Sequence, residues 1–173
     1  NARKHDSQDI CFVPDGDYAK IIVQRTGKTP QPGPFLDLDG NVVGTHRGII
    51  HYTVGQRRGL ALPAGEKIYV VKILPEQNAV VVGPDSALYT SECLVSNMHW
   101  ISGEAPALPY RCSAKTRYRQ PEKPCTVYPA GGNAVRLVFD EPLRAITPGQ
   151  SAVLYDGAIV LGGGIIARED VPC

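Results

Sequence analysis

The five cysteines are the residues of this 173-residue chain that could act as sulfur nucleophiles: Cys11, Cys93, Cys112, Cys125 and Cys173. An odd number without short pair spacing predicts neither a zinc site nor the dense, even disulfide framework of a small secreted domain. Of the four histidines, His46, His51 and His99 also lack a cysteine or acid at metal-ligand spacing. We therefore predict no metal site and reduced thiols in a cytoplasmic protein, most of them packed as small hydrophobic side chains in strands.

Cys11 differs from the other cysteines because it lies in a polar segment, within Ile10-Cys11-Phe12-Val13 and before Pro14. We interpret residues 1–14 as an extended arm. Its residues alone allow two readings of Cys11, a buried structural thiol or a reactive one. On an exposed arm the thiol would keep a pKa near about 8.5, since acidic and basic neighbours oppose each other there.

A basic segment between Arg111 and Tyr128 is the second candidate for chemistry, with five lysines and arginines against one acid. If residues 111–119 form one strand, the two-residue period places four of the cations on one face: Arg111, Lys115, Arg117 and Arg119. Tyr118 then points the other way unless a bulge turns it round. Arginine beside tyrosine suits phosphate contact and base stacking in RNA, whereas a charge-protected edge strand explains the same pattern without a ligand.

The net charge of +1 limits any nucleic-acid surface to such a local patch. A further acid-free stretch, residues 40–65, places Arg57 and Arg58 between two glycines in the loop Gly55–Leu60. These arginines are weaker candidates, because the loop could be purely structural.

Composition limits the elements that must position these residues. The 18 glycines and 15 prolines leave little room for long helices, which excludes a helical bundle or a coiled coil. No apolar run approaches the roughly 18–20 residues that cross a bilayer as a helix. The hydrophobic share of 43% is enough for a packed core.

Patterning predicts a mainly β protein in two parts. Residues 15–83 read as a small α+β central domain, with a helix over 17–26, hairpins over 35–44 and 68–82, and a helical turn near 48–52. Residues 84–173 read as a six-stranded antiparallel β-barrel, because closure removes exposed strand edges. The predicted barrel strands are 93–101, 111–119, 125–128, 135–139, 152–155 and 159–161.

Several motifs are more specific than composition and follow one another along the chain. They are Asp6-Ser7-Gln8-Asp9-Ile10-Cys11-Phe12, Tyr52-Thr53-Val54-Gly55-Gln56-Arg57-Arg58-Gly59-Leu60, Lys115-Thr116-Arg117-Tyr118-Arg119-Gln120, Phe139-Asp140-Glu141-Pro142, Thr147-Pro148-Gly149-Gln150-Ser151-Ala152-Val153 and Leu161-Gly162-Gly163-Gly164-Ile165-Ile166. Together they closely resemble the tRNA-specific 2-thiouridylase family (MnmA, also called TrmU), over about residues 4–167.

The resemblance implies a fragment of a three-part enzyme. The family's N-terminal domain binds ATP through a Ser-Gly-Gly-x-Asp-Ser loop, which no part of this sequence matches; Gly162–Gly164 reads as a tight packing turn. We therefore expect the central and C-terminal domains only, without a cofactor of their own and inactive alone. ATP with Mg²⁺ would be a co-substrate of the full-length enzyme.

The resemblance also assigns roles to residues. It implies that Cys11 carries a persulfide and forms a transient catalytic disulfide, and that Arg117, Tyr118 and Gln150 bind tRNA. Possible further tRNA contacts are Arg57, Arg58, Lys115 and Arg119. The implied partners are tRNAs of the Lys, Glu and Gln type and a persulfide sulfur-donor protein, with no membrane. The alternative is a non-catalytic RNA-binding β-barrel module, in which Cys11 has no chemical task.

Overall fold

The computed structural model describes residues 21, 23–25, 27, 29–62 and 67–168. The arm over residues 1–14, and with it Cys11, lies outside the described residues, as does most of the helix predicted over 17–26. Of that helix, residues 21 and 23–25 are helical. Gly27 ends it with φ +66° and an N–H that donates to the carbonyl of Val23 at 2.8 Å. Contacts divide the chain between Gly83 and Pro84 into two units, which are described separately.

The first unit is built on a four-stranded sheet in the order β2-β1-β4-β3. Its strands are β1 (Gly33–Leu36), β2 (Val42–His46), β3 (Tyr69–Leu74) and β4 (Ala79–Gly83). The β1–β2 and β3–β4 pairs are antiparallel, which confirms both predicted hairpins, and β1 runs parallel to β4. The 3₁₀ segments are Ile49–His51, where a helical turn was predicted, and Pro75–Gln77.

His46 is the buried polar centre of this sheet, with 1% of its surface exposed. Its Nδ1 accepts the N–H of Gly48 at 3.0 Å, so the ring proton lies on Nε2, which donates to the carbonyl of Asn78 at 3.0 Å. The ring packs edge-on against Phe35 and near Tyr52. Burial lowers the pKa of His46, because the charged form would lose its hydration.

The first unit, which we call the central unit, is therefore expected to lose stability in mild acid. Unfolded His46 takes up a proton near pH 6.5 and the folded residue only at lower pH, so unfolding gains protons as the pH falls through that window. The urea concentration at which the sheet of this unit unfolds, measured by hydrogen exchange of its backbone amides, should be lower at pH 5.5 than at pH 7. His46→Gln keeps an amide donor for Asn78 without a titrating ring, and should flatten this fall; the half-buried His51, changed to Gln, is the control. An equal pH dependence in His46→Gln would contradict the assignment.

The second unit begins with a 3₁₀ segment, Asp85–Leu88, and closes into a barrel in the order β10-β5-β8-β7-β6-β9. All neighbouring strands are antiparallel, which confirms the predicted mainly β fold with a six-stranded barrel. The strands are β5 (Tyr89–Trp100), β6 (Tyr110–Lys115), β7 (Lys123–Pro129), β8 (Val135–Arg144), β9 (Ser151–Asp156) and β10 (Ile159–Ile166). Alternate side chains fill the interior, among them Val95, Ala114, Cys125, Val127, Leu137 and Leu154.

Strand β10 corrects the prediction of a tight packing turn at Gly162–Gly164. The three glycines continue the strand between β5 and β9. A Cβ on Gly162 would lie 2.3 Å from the carbonyl oxygen of His99, and one on Gly163 would lie 2.7 Å from that of Ala152. The glycines do indicate close packing, but the close approach is between neighbouring strands and not within a turn.

Within the described part of the chain, no helix has the length and apolar character required to cross a membrane.

Candidate nucleic-acid interface

The loop after β6 presents the most exposed aromatic ring among the described large hydrophobic side chains. Strand β6 ends at Lys115, which corrects the strand predicted over 111–119. Residues 116–120 turn back because Gln120 N–H donates to the carbonyl of Arg117 at 3.2 Å and the buried Thr116 hydroxyl donates to Gln120 Oε1 at 3.2 Å. Tyr118 stands on this turn with 88% of its surface exposed. We call residues 116–120 the tyrosine loop.

A second turn, residues 147–150, lies at the same end of the barrel, because β6 ends and antiparallel β9 begins there. Gly149 has φ +85°, a conformation that favours glycine, and its N–H donates to the carbonyl of Ile166 at 2.8 Å. The carbonyl of Gln150 accepts the N–H of Ile166 at 2.8 Å. The backbone of Gln150 is thus fixed while the residue remains exposed. We call residues 147–150 the glutamine turn.

Arg117 joins the tyrosine loop to the glutamine turn. Its Nη2 donates to the carbonyl oxygen of Ala145 at 2.5 Å and to Thr147 Oγ1 at 2.9 Å. The Thr147 hydroxyl in turn donates to the same Ala145 oxygen at 3.0 Å. The structure therefore brings the predicted residues Tyr118 and Gln150 onto two loops that are tied through the third predicted residue, Arg117.

The predicted row of four cations on one strand face is wrong. The strand stops at Lys115, so the later arginines lie in the loop, and Arg111 is paired with Asp140 through a two-pronged contact. That hydrogen bond raises the pKa of Arg111 and lowers the pKa of Asp140. Lys123 Nζ lies 3.7 Å from Glu141 Oε2. Part of the positive charge is thus neutralised within the barrel.

The remaining cations concentrate at the tyrosine loop. Among the described residues, no carboxylate lies within 4.0 Å of Lys115, Arg117 or Arg119. Lys115 Nζ lies 5.4 Å from the ring centroid of Tyr155, a cation–π contact on the outer face of β6 and β9. The site therefore combines net positive charge with an exposed ring at Tyr118, the combination that single-stranded RNA requires.

An open groove of about 230 Å³ runs beside the tyrosine loop. Glu141 and Pro142, the last two residues of the Phe139–Pro142 motif, form one wall of this groove together with the end of β8. The lining residues are Gln120, Pro121, Lys123, Glu141, Pro142, Leu143 and Arg144.

Arg57 and Arg58 lie in the central unit, in a loop shaped by its own polar contacts. Gln56 Oε1 accepts the N–H of Thr53 at 3.0 Å, and Gln56 Nε2 donates to the carbonyl of Arg58 at 2.9 Å. Both arginines are exposed. These hydrogen bonds shape the loop, and its arginines remain predicted tRNA contacts.

The barrel cysteines are packed side chains. Cys112 and Cys125 face each other across β6 and β7, with their sulfur atoms 3.8 Å apart in the core. Their thiol hydrogen bond, with burial, raises the pKa of Cys125. Burial, with a smaller effect of Glu92, raises the pKa of Cys93 to about 12. The same hydrogen bond lowers the pKa of Cys112, so the thiolate is disfavoured at Cys93 and Cys125, while Cys112 is kept from reagents by its place in the core.

Thiol titration of the native chain should reflect this packing. At pH 8 we expect Cys93, Cys112 and Cys125 to react with an aromatic disulfide reagent only after unfolding. Of the five cysteines, at most Cys11 and Cys173 should react quickly in the native state, and all five in guanidinium. Rapid reaction of three or more thiols in the native chain would contradict the packing.

Sequence reasoning missed the partners of Arg117, namely Ala145 and Thr147. Thr147 belongs to the Thr-Pro-Gly-Gln motif, but nothing in its spacing shows that its hydroxyl accepts from a side chain 30 positions earlier. A glycine-like φ of +55° at Ala145 was likewise invisible.

Comparison with known proteins gives matches over both units. Residues 20–84 match the tRNA methyl transferase PRC-barrel domain, and residues 90–166 match the aminomethyltransferase beta-barrel domain. The tRNA-specific 2-thiouridylase MnmA of Acetivibrio thermocellus is 51% identical over 165 residues, which are 95% of this chain and 46% of the relative. The MnmA of Symbiobacterium thermophilum is 48% identical over 167 residues, 96% of this chain and 43% of the relative.

The MnmA of Halothermothrix orenii is 45% identical over 166 residues, again 96% of this chain and 46% of the relative. The chain thus spans less than half the length of these relatives. The two domain descriptions mention methyl and aminomethyl transfer, whereas these relatives, which match both domains together, are thiouridylases.

Proposed function

This chain belongs to the tRNA-specific 2-thiouridylase family, of which it spans the central and C-terminal domains, and on that premise we propose that it is part of a cytoplasmic tRNA sulfurtransferase. Its barrel holds tRNA and its Cys11 carries the sulfur. The observation that supports tRNA binding is the exposed ring of Tyr118 between cations without a described acidic partner, tied through Arg117 to the turn that carries Gln150.

Each feature of this end of the barrel suits a different part of tRNA. The Tyr118 ring can stack on a base, because every base has a π-face and the ring needs no further unfolding to reach it. Lys115 and Arg119 can meet phosphates, and the amide of Gln150 can meet a polar base edge or a ribose hydroxyl. Arg57 and Arg58 are proposed as further phosphate contacts from the central unit.

The glycine run of β10 does not fit ATP. Its glycines are in a strand whose neighbours leave no room even for a Cβ at Gly162 or Gly163, so their backbone cannot enclose phosphates. We propose that ATP, with Mg²⁺, is a co-substrate bound by the part of the full-length enzyme outside this chain.

The proposed reaction replaces O2 of the wobble uridine by sulfur. ATP transfers its adenylyl group to O2 and releases pyrophosphate. The terminal sulfur of a Cys11 persulfide, received from a sulfur-donor protein, then bonds to C2, and AMP leaves with the former O2. A second cysteine thiolate of the enzyme attacks Cys11 sulfur, which breaks the S–S bond to the delivered sulfur and forms a protein disulfide. The electron pair released stays on the sulfur now attached to C2.

Nucleoside analysis of the product tests this function. The full-length enzyme containing this chain, given ATP, Mg²⁺, a persulfide donor and unmodified tRNA of the Lys, Glu or Gln type, should produce 2-thiouridine at the wobble position. Omission of ATP should prevent it. Binding of tRNA without any thiolation would instead support the non-catalytic RNA-binding module.

A further inference from the structure

We propose that Arg117 is a positioning residue, whose guanidinium joins the tyrosine loop and the glutamine turn into one rigid platform for tRNA. This inference rests on the proposed function and deepens it. It separates Arg117, which acts through the placement of Tyr118 and Gln150, from the neighbouring cations that meet phosphates directly.

The first support is the use of the guanidinium within the protein. Arg117 is half-buried, and its Nη2 reaches both the carbonyl of Ala145 and the hydroxyl of Thr147, at 2.5 and 2.9 Å. Ala145 directly follows β8, and Thr147 is the first residue of the glutamine turn. A planar guanidinium can meet two acceptors from one nitrogen in a fixed direction, which the flexible lysine ammonium does not reproduce.

The second support is that the tyrosine loop is otherwise closed on itself, whereas the glutamine turn is also held on β10 by the backbone bonds of Gly149 and Gln150 to Ile166. The tyrosine loop is closed by the bond from Gln120 to Arg117, and the glutamine turn by the bond from Gln150 N–H to the carbonyl of Thr147 at 3.3 Å. Among the described residues, no other side-chain hydrogen bond connects the two loops. Without Arg117 the tyrosine loop would therefore lose its side-chain link to the fixed glutamine turn, and tRNA binding would have to order that loop.

The third support is the distribution of charge. Lys115 and the exposed Arg119 flank Arg117 without an acidic partner among the described residues, so phosphate neutralisation has other candidates. Counterion release makes the slope of log affinity against log salt a count of phosphate contacts, about 0.7–0.9 for each contact. A positioning residue contributes to affinity without contributing to this slope.

The experiment measures binding of an unmodified tRNA transcript to the 173-residue chain across a series of salt concentrations. Arg117→Lys keeps the charge, and is expected to lose affinity on the order of tenfold with an unchanged slope. Arg119→Gln is expected to reduce the slope by about 0.7–0.9. Thr147→Val removes the hydroxyl and should lower affinity in parallel with Arg117→Lys, whereas Thr147→Ser should bind as the wild type does.

A double-mutant cycle completes the test. Since Arg117 and Thr147 act through one contact, Arg117→Lys combined with Thr147→Val should bind no more weakly than the weaker single variant. Wild-type affinity in Arg117→Lys, or a slope reduced in Arg117→Gln as much as in Arg119→Gln, would overturn the positioning role. Failure of the proposed function gives a different result: tRNA affinity would be unchanged in both Tyr118→Ala and Gln150→Ala.

Discussion

Replacing Cys11 by serine is expected to abolish thiolation by the full-length enzyme while tRNA affinity stays unchanged. A serine hydroxyl cannot hold the persulfide that the proposed reaction delivers, so the sulfur has no carrier. Loss of an essential nucleophile typically lowers turnover by on the order of a thousandfold or more. The barrel thiols cannot take over, because Cys112 and Cys125 are buried in the core and burial raises the pKa of Cys93 to about 12.

Mass spectrometry of tRNA nucleosides and a parallel binding titration separate the two quantities. Cys173→Ser is the matched control, because it removes the other cysteine outside the described residues, and it should thiolate tRNA at the wild-type rate. Retained thiolation in Cys11→Ser would remove the basis for a catalytic Cys11 and favour the reading of the chain as an RNA-binding module.

Replacing Gly162 by alanine is expected to destabilise the barrel by at least about 3 kcal/mol, at the upper end of the cost of overpacking. The added Cβ would lie 2.3 Å from the carbonyl oxygen of His99 and 3.1 Å from the Cα of Trp100. Both are backbone atoms of β5, so no side-chain rotation can relieve the overlap. The β5–β10 pairing that closes the barrel would have to separate.

Urea unfolding followed by circular dichroism measures this cost. Gly157→Asn is the control, since Gly157 lies in the turn between β9 and β10 with φ +56° and open space around it. Asparagine tolerates this left-handed conformation, so the control should change stability by less than about 1 kcal/mol. A Gly162→Ala variant as stable as Gly157→Asn would show that β5 and β10 are not in close contact.

Much of the fold was predictable because glycine and proline separate the strands. The Asp-Gly sequence at Asp39-Gly40 marked the first hairpin, and closure of six short strands followed from the need to remove exposed edges. The run Gly162–Gly164 was predicted as a turn, because a turn and a close strand crossing both require the absence of a Cβ. Sequence alone does not distinguish them.

The length of β6 shows a second limit of prediction from the sequence. Alternating cations from Arg111 to Arg119 continue a two-residue period past the point where the strand ends. The turn depends on a hydrogen bond between the Thr116 and Gln120 side chains and on Pro121 after them, so local chemistry overrides the period.

Tyr118 and Gln150 were predictable as candidate tRNA contacts from their motifs, since a short motif can be identified in the sequence without knowledge of the fold. Their connection through Arg117 and Thr147 was not, because it joins side chains 30 positions apart. The buried hydrogen bonds of His46 were missed for the same reason: the Asn78 carbonyl lies 32 positions away.

The most direct test of tRNA recognition by this barrel is the affinity of the 173-residue chain for unmodified tRNA, compared between Tyr118→Ala and a matched surface variant. Ile159→Ala is that control, because Ile159 is 67% exposed and lies at the opposite end of the barrel. Loss of a stacked base predicts that Tyr118→Ala weakens binding by about 1–3 kcal/mol, while Ile159→Ala binds as the wild type does. Equal affinity of the two variants, or no binding by the wild-type chain at low salt, would contradict it.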